Sequence, residues 1–209
     1  MRRGCYQSHA ALSTLAPSGR PAHISHMTIR KIARMGHPVL GQRAEQITDV
    51  SDPELRRLVE DMVMTMIDAN GAGLAAPQVH ESVRLVVFQA PASRSDPGLS
   101  EAEAYDHTAA FTVLINPEIE ILSDEKEGGW EGCLSVPGLR GWVERPAHIR
   151  YRGLGLDGNP IERVAKGFHA RVVQHECDHL DGILYPQRMS DMTKLIFESE
   201  TKHWLEQSE

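Results

Sequence analysis

The pattern His175-Glu176-Cys177-Asp178-His179 constrains this chain more than any other feature of it. It lies inside a run from Phe168 to Leu180 with helical spacing (Phe168, Val172, His175, His179), and Gly182 follows as a stop. At about 100° per residue, positions four apart share one helix face, so two imidazoles can reach a single cation with the glutamate beside it. A hydrolytic metal site ordinarily has three protein ligands and one position open to water, so a fold serving this pattern must bring a further ligand from another segment. Glu176 is placed to take a proton from that water and return it to a leaving amine. Without a metal, the same residues would read as a solvated helix face.

The residues alone leave the third ligand open. A histidine three positions past Gly182 would complete one protease pattern, but that position is Tyr185. Glu198 and Glu200 could serve as a later acidic ligand, as in HExxH zinc proteases that cut internal peptide bonds. Cys133, in Trp130-Glu-Gly-Cys-Leu-Ser-Val-Pro137, is the remaining soft ligand, in a stretch that reads as irregular. Cys177 is a poorer candidate, because it falls two positions from each histidine and so roughly opposite their face. With Cys5 these make three cysteines, too few for a disulfide scaffold and compatible with a reducing compartment.

Around this helix the chain reads as α+β. Ser51-Asp-Pro53-Glu54 starts a helix whose apolar positions run through Leu55, Leu58, Val59, Met62, Val63, Met66 and Ile67 to a stop at Asn70-Gly71. Arg84 to Gln89 and Phe111 to Ile115 read as buried strands, with a polar surface loop from Pro91 to Thr108 between them. His148 to Leu156 and Ile161 to Ala165 flank a turn at Asp157-Gly158-Asn159-Pro160 and predict a hairpin. Ser190 to Leu205 reads as a terminal helix. The regular strand–helix alternation of a parallel sheet is missing. Gly71-Ala-Gly-Leu-Ala-Ala-Pro-Gln78 superficially matches a dinucleotide fingerprint, but it follows a helix and contains Pro77. Its small residues instead let the backbone approach something closely, and Gln78 can present an amide.

Residues 1–26 show no periodicity able to dock on a core, and they are expected to be a disordered or non-native extension, with Met27 as the functional start of one domain over 27–209. Their Arg and Ser content without acids also fits an organellar transit peptide. All 29 acidic residues lie beyond this segment, so the body is more acidic than the net −7 of the whole chain, which argues against DNA as a partner. No run approaches the roughly 18 apolar residues of a membrane span.

Together, GAGLAAPQ at 71–78, EGCLS at 131–135 and QHECDHLDG at 174–182 resemble the three motifs of the peptide deformylases, and weaker similarity extends over 27–209. The resemblance implies antiparallel sheets packed around a central HExxH helix, with a C-terminal helix. It implies Cys133, His175 and His179 as ligands of one divalent metal, Glu176 as general acid/base, and Gln78 with the backbone N–H of Leu134 as oxyanion donors. Fe(II) is the metal it implies, with Zn, Ni or Co able to occupy the site; the ligand chemistry alone suits zinc equally well. The implied substrate is the N-formyl-methionyl end of nascent polypeptides at the ribosome, held extended near Gly73 and the EGCLS segment, with Arg140 contacting the peptide and Arg145 paired to Glu131. The bacterial cytoplasm is the implied location. Gly129-Trp130 stands where many relatives carry a further acid.

Overall fold

The computed structural model describes residues 28–94 and 98–206, so the expectations for residues 1–26 lie outside the described residues. Helix α1 spans Pro53–Asp68; Asp52 caps it by accepting from the Glu54 N–H at 2.9 Å, and Pro53 fills the first position, where a missing N–H costs nothing. It ends where Asn70 turns into the left-handed region (φ 53°). Strands β1 (Gly73–Ala75), β2 (Leu85–Ala90), β3 (Ala109–Ile121), β6 (His148–Leu154) and β7 (Pro160–Lys166) form an antiparallel sheet in the order β1-β2-β3-β6-β7. Strands β4 (Lys126–Cys133), β5 (Val136–Pro146) and β8 (Leu195–Phe197) form a second antiparallel sheet, with β5 in the middle.

The five-stranded sheet is covered on both faces, and the alternation along β2 shows how. Leu85 and Val87 point to one side and join Leu55, Val59, Met62 and Met66 of α1; Val86 and Phe88 point to the other. That second side carries helix α3 (Gly167–Leu180), which buries Ala170, Val173, Cys177 and Leu180 against Phe88, Ile149 and Tyr151. Two-sided burial explains why Leu85 to Phe88 are apolar throughout rather than alternating. The opposite stripe of α3, Arg171, His175 and Asp178, faces the second sheet and is bonded to it. The helix is therefore sandwiched between the two sheets, one face apolar and one ionic. It stops at Gly182 (φ 74°), where a Cβ would lie 2.7 Å from the Gly41 carbonyl carbon.

Three expectations need correction. The stretch 91–108 is not a bare loop: Glu101–His107 forms helix α2, whose N-terminus is held by reciprocal bonds between Ser100 and Glu103. The EGCLS segment is only partly irregular: Glu131 to Cys133 close strand β4, paired to β5 (Glu131 with Gly141, Gly132 with Arg140), the register shifts between Gly132 and Cys133, and Leu134–Ser135 turn. The terminal helix is cut short, because Leu195–Phe197 leave helical geometry to pair with Leu139–Gly141 of β5, and only Thr201–Glu206 form the last helix, α4.

Candidate active site

The structure brings Cys133, His175 and His179 together, with one ligand atom from each lying within 4.8 Å of the others. Two come from α3, one turn apart, and the third from the end of β4. Among the described residues this is the cluster of His, Cys, Asp and Glu side chains able to hold a metal. Glu198 and Glu200, the acidic alternatives, sit elsewhere: Glu198 bonds to Arg140 and Glu200 accepts from the Ser199 hydroxyl. Cys177 is buried in the core on the other face of α3, and burial pushes its thiol far up, away from thiolate chemistry.

The orientation of His175 has a visible cause. His175 Nδ1 faces Glu131 Oε2 at 2.8 Å, which leaves Nε2 for a cation. Burial alone would raise the pKa of Glu131; Arg145, bonded to both its oxygens at 2.6 and 2.9 Å, outweighs this and holds it far below the carboxylate range. Arg145 also donates to Asp178 at 2.8 Å, and Arg188 donates to the same carboxylate. The expected Arg145–Glu131 pair is thus one link of a longer chain. Burial disfavours charge on both imidazoles. On His175 the neighbouring Cys133 and the bonded Glu131 outweigh it and raise the pKa, whereas on His179 burial, and then the neighbouring His175, lower it.

Glu176 is buried, its Oε2 has no hydrogen-bond partner, and burial pushes its pKa up to about 7. A carboxyl group so placed exchanges a proton readily near neutral pH. Gly73 in β1 lies directly against it, and a Cβ there would fall 2.6 Å from the carboxyl carbon. This is the close approach that the small residues of 71–78 permit.

Gln78 is buried in the short 3-10 turn after β1. Its Oε1 accepts from the Ala75 N–H at 2.8 Å, so its Nε2 is turned toward Ser135 Oγ (3.1 Å) and Cys133 Sγ (3.5 Å). Leu134 follows Cys133 in the same cleft wall. The backbone at Ala33 and Met35 straps the two walls, donating to the carbonyls of Gln78 and Ser135. A cleft of about 480 Å³ opens between them, lined by Gly71 to Gly73 on one side and Cys133 to Arg140 on the other, with His175 and Glu176 beneath. Arg140 reaches this cleft, but its guanidinium is bonded to Glu198 at 2.6 and 3.0 Å rather than left free for a peptide.

Sequence reasoning missed Ser135, Tyr185, whose ring stacks near His175, and Arg171. Arg171 had a signal, a charge four residues before a ligand in an otherwise buried helix.

The donor set is chemically coherent for a metal: one soft sulfur and two imidazole nitrogens converge beside a buried carboxyl group with an unpartnered oxygen. A helix carrying HExxH between two antiparallel sheets, with a cysteine delivered by the facing strand, is the layout of a metallohydrolase. The model of the family "Polypeptide deformylase" matches residues 29–195, and the chain belongs to that family. It is 52% identical over 168 residues to "Peptide deformylase 1" of Bordetella pertussis, covering 79% of this chain and 90% of that one. It is 51% identical to "Peptide deformylase 2" of Ralstonia nicotianae, covering 81% and 92%. Among solved structures, a peptide deformylase from Ehrlichia chaffeensis superposes with a TM-score of 0.72 at 34% identity, covering 80% of this chain and 91% of that one. A class I type b peptide deformylase from Acinetobacter baumannii with Met-Ala-Ser bound gives 0.68 at 36% identity, covering 78% and 99%.

Proposed function

We propose that the cleft takes the N-formyl-methionyl end of a nascent polypeptide in extended form and hydrolyses its formyl amide, releasing formate. The observation that carries this reading is the buried, unpartnered Glu176 oxygen beside the Cys133–His175–His179 cluster, on a chain of the polypeptide deformylase family. The relative from Acinetobacter baumannii with Met-Ala-Ser bound supports a peptide of this kind as the ligand.

Cys133, His175 and His179 would hold one divalent ion, Fe(II) on the family resemblance, with zinc, nickel or cobalt able to take its place. When bound, that ion supplies a Lewis acid that acidifies water and polarises the formyl carbonyl. The chain's own residues do the rest. Glu176 accepts the proton of the attacking water as the oxygen adds to the formyl carbon. Charge then develops on the formyl oxygen, and the Gln78 amide, already oriented by Ala75, and the Leu134 N–H donate to it. Glu176 next delivers its proton to the nitrogen, the C–N bond breaks, and formate and a free amino terminus leave. Gly73 keeps the backbone wall close to the reacting carboxylate. Arg140, tied to Glu198, shapes the far end of the cleft.

Among the described residues no helix is long and apolar enough to cross a membrane. With bacterial relatives and this substrate, action on emerging chains in a bacterial cytoplasm follows as part of the proposal. The test is formate release from formyl-Met-Ala-Ser by protein purified without oxygen and loaded with Fe(II), Ni(II) or Zn(II). Formate that depends on metal and disappears in Glu176→Ala, with metal retained, is the expected result. Full metal occupancy and folding without formate would overturn the reading.

A further inference from the structure

Arg171 belongs to none of the three motifs that carry the family resemblance. It sits one turn before His175 on the same face of α3 and is nearly buried. Its NH1 donates to Glu131 Oε1 and to the Val143 carbonyl, both at 2.8 Å, and its NH2 donates to the Glu127 carbonyl at 2.7 Å. Those acceptors lie on β4 and β5. The guanidinium therefore ties the helix that carries both histidines to the strand that ends in Cys133.

The carboxylate it holds is the one that orients His175. Arg171 fixes Oε1 of Glu131, while Oε2 faces His175 Nδ1. Arg145 grips the same carboxylate from a different direction. Room for the second guanidinium exists because residue 129 has no side chain: a Cβ at Gly129 would lie 2.8 Å from the guanidinium carbon and 2.9 Å from two of its nitrogens. Gly129 and Arg171 are thus a matched pair, small against large. A lysine in place of Arg171 could reach the carboxylate but, as a single point charge, could not also satisfy two carbonyls in a plane.

We infer that Arg171 is a positioning residue of the metal centre: it holds Glu131, and through it the His175 ring, in register with Cys133, in a seat that Gly129 leaves open. This rests on Cys133, His175 and His179 being the metal ligands, as in the reading above, but not on which amide is hydrolysed.

The test compares wild type with Arg171→Met, Arg171→Lys, Gly129→Ala, Arg171→Ala and the Arg171→Ala/Gly129→Ala double variant. The readouts are Co(II) affinity by titration of the thiolate–cobalt absorption, the ligand-field spectrum, thermal unfolding without metal, and kcat and KM on a formyl-Met peptide. Arg171→Met is expected to lose about 10- to 100-fold in Co(II) affinity, the usual effect of removing an outer partner of a ligand, with an altered spectrum and a fall in kcat larger than any rise in KM. Arg171→Lys recovers part of the affinity by restoring the charge on Glu131. Gly129→Ala reproduces the loss in the wild-type background and adds little to Arg171→Ala, where the seat is vacated. A folded Arg171→Met with wild-type affinity and spectrum overturns the inference, even if its melting temperature falls. Should Arg171→Met fail to fold, unchanged affinity and spectrum in both Arg171→Lys and Gly129→Ala overturn it equally. Variants that lose Co(II) affinity while no protein, wild type included, releases formate would support Arg171 and refute the deformylase reading.

Discussion

Gly73 and Glu176 stand in direct contact, the backbone of β1 against the one carboxylate on α3 whose Oε2 is buried without a partner. The relationship is steric before it is chemical. Any side chain at residue 73 needs the volume that the Glu176 carboxyl occupies.

Gly73→Ala is accordingly expected to fold, since φ at this position is not in the left-handed region, and to lose about 100-fold or more of kcat by displacing the acid/base, a loss typical of removing such a group. Steady-state kinetics beside metal analysis checks it. Wild-type kcat in the metal-loaded variant would show that Glu176 tolerates displacement.

Gln78→Glu separates orientation from donation. The substituted carboxylate keeps an oxygen for the Ala75 N–H but has no amide donor to aim at the formyl oxygen. Loss of one oxyanion donor costs about 10²- to 10³-fold in kcat. KM should move far less, and an equal rise in KM with kcat preserved would place Gln78 in ground-state binding instead.

Metal removal should be felt by the whole fold, because Cys133 and the two histidines join β4 to α3. An ion present at 1,000 times its dissociation constant stabilises the folded state by about 4 kcal/mol. For a chain of this size that corresponds to roughly 10 °C in melting temperature. Chelation in wild type is expected to lower the melting temperature by that order, and in Cys133→Ser by much less. Calorimetry with and without chelator decides, and equal shifts in both proteins would remove Cys133 from the ligand set.

The metal-free protein should also lose stability in mild acid because of a histidine outside the Cys133–His175–His179 cluster. His169 is fully buried between the Tyr151 hydroxyl and the Asp106 carbonyl, and burial pushes its pKa down to about 4. The unfolded chain takes up this proton near pH 6.5, before the folded chain does, so stability falls as pH drops from about 6.5 to about 4 and this contribution levels off below that. The window amounts to about 3 kcal/mol. Urea unfolding across pH should show a slope that His169→Gln flattens, and an unchanged slope in the variant would assign it to other groups.

What could be read from residue order was whatever is written locally. Helix α1 announces itself by Asp52-Pro53 and its apolar stripe, and the β6–β7 hairpin by its Asp-Gly-Asn-Pro turn. Strand β4 does not, because Gly128, Gly129 and Gly132 give it little intrinsic strand preference. Its form comes from β5, whose Trp142 covers Gly128, where a Cβ would lie 2.7 Å from the indole nitrogen. Leu195 to Phe197 keep an apolar spacing that suits a helix, yet an open edge of β5 claims them as a strand. In the candidate site, His175, Glu176 and His179 were legible as a motif, while Cys133 was set apart from the other candidate ligands only by the family resemblance. The Arg171–Glu131–Arg145–Asp178–Arg188 chain was not, since its members lie up to 57 residues apart and meet only through the pairing of two sheets with one helix.

Strands β1 and β4 are each the outermost strand of their sheet, and both border the cleft. A peptide laid between them would meet main-chain amides and carbonyls along its length, so that much of its grip would come from groups every amino acid shares. Such a grip is indifferent to the message being translated. An enzyme that must attend to every newly begun chain gains from that indifference, and discrimination is left to the reacting end alone.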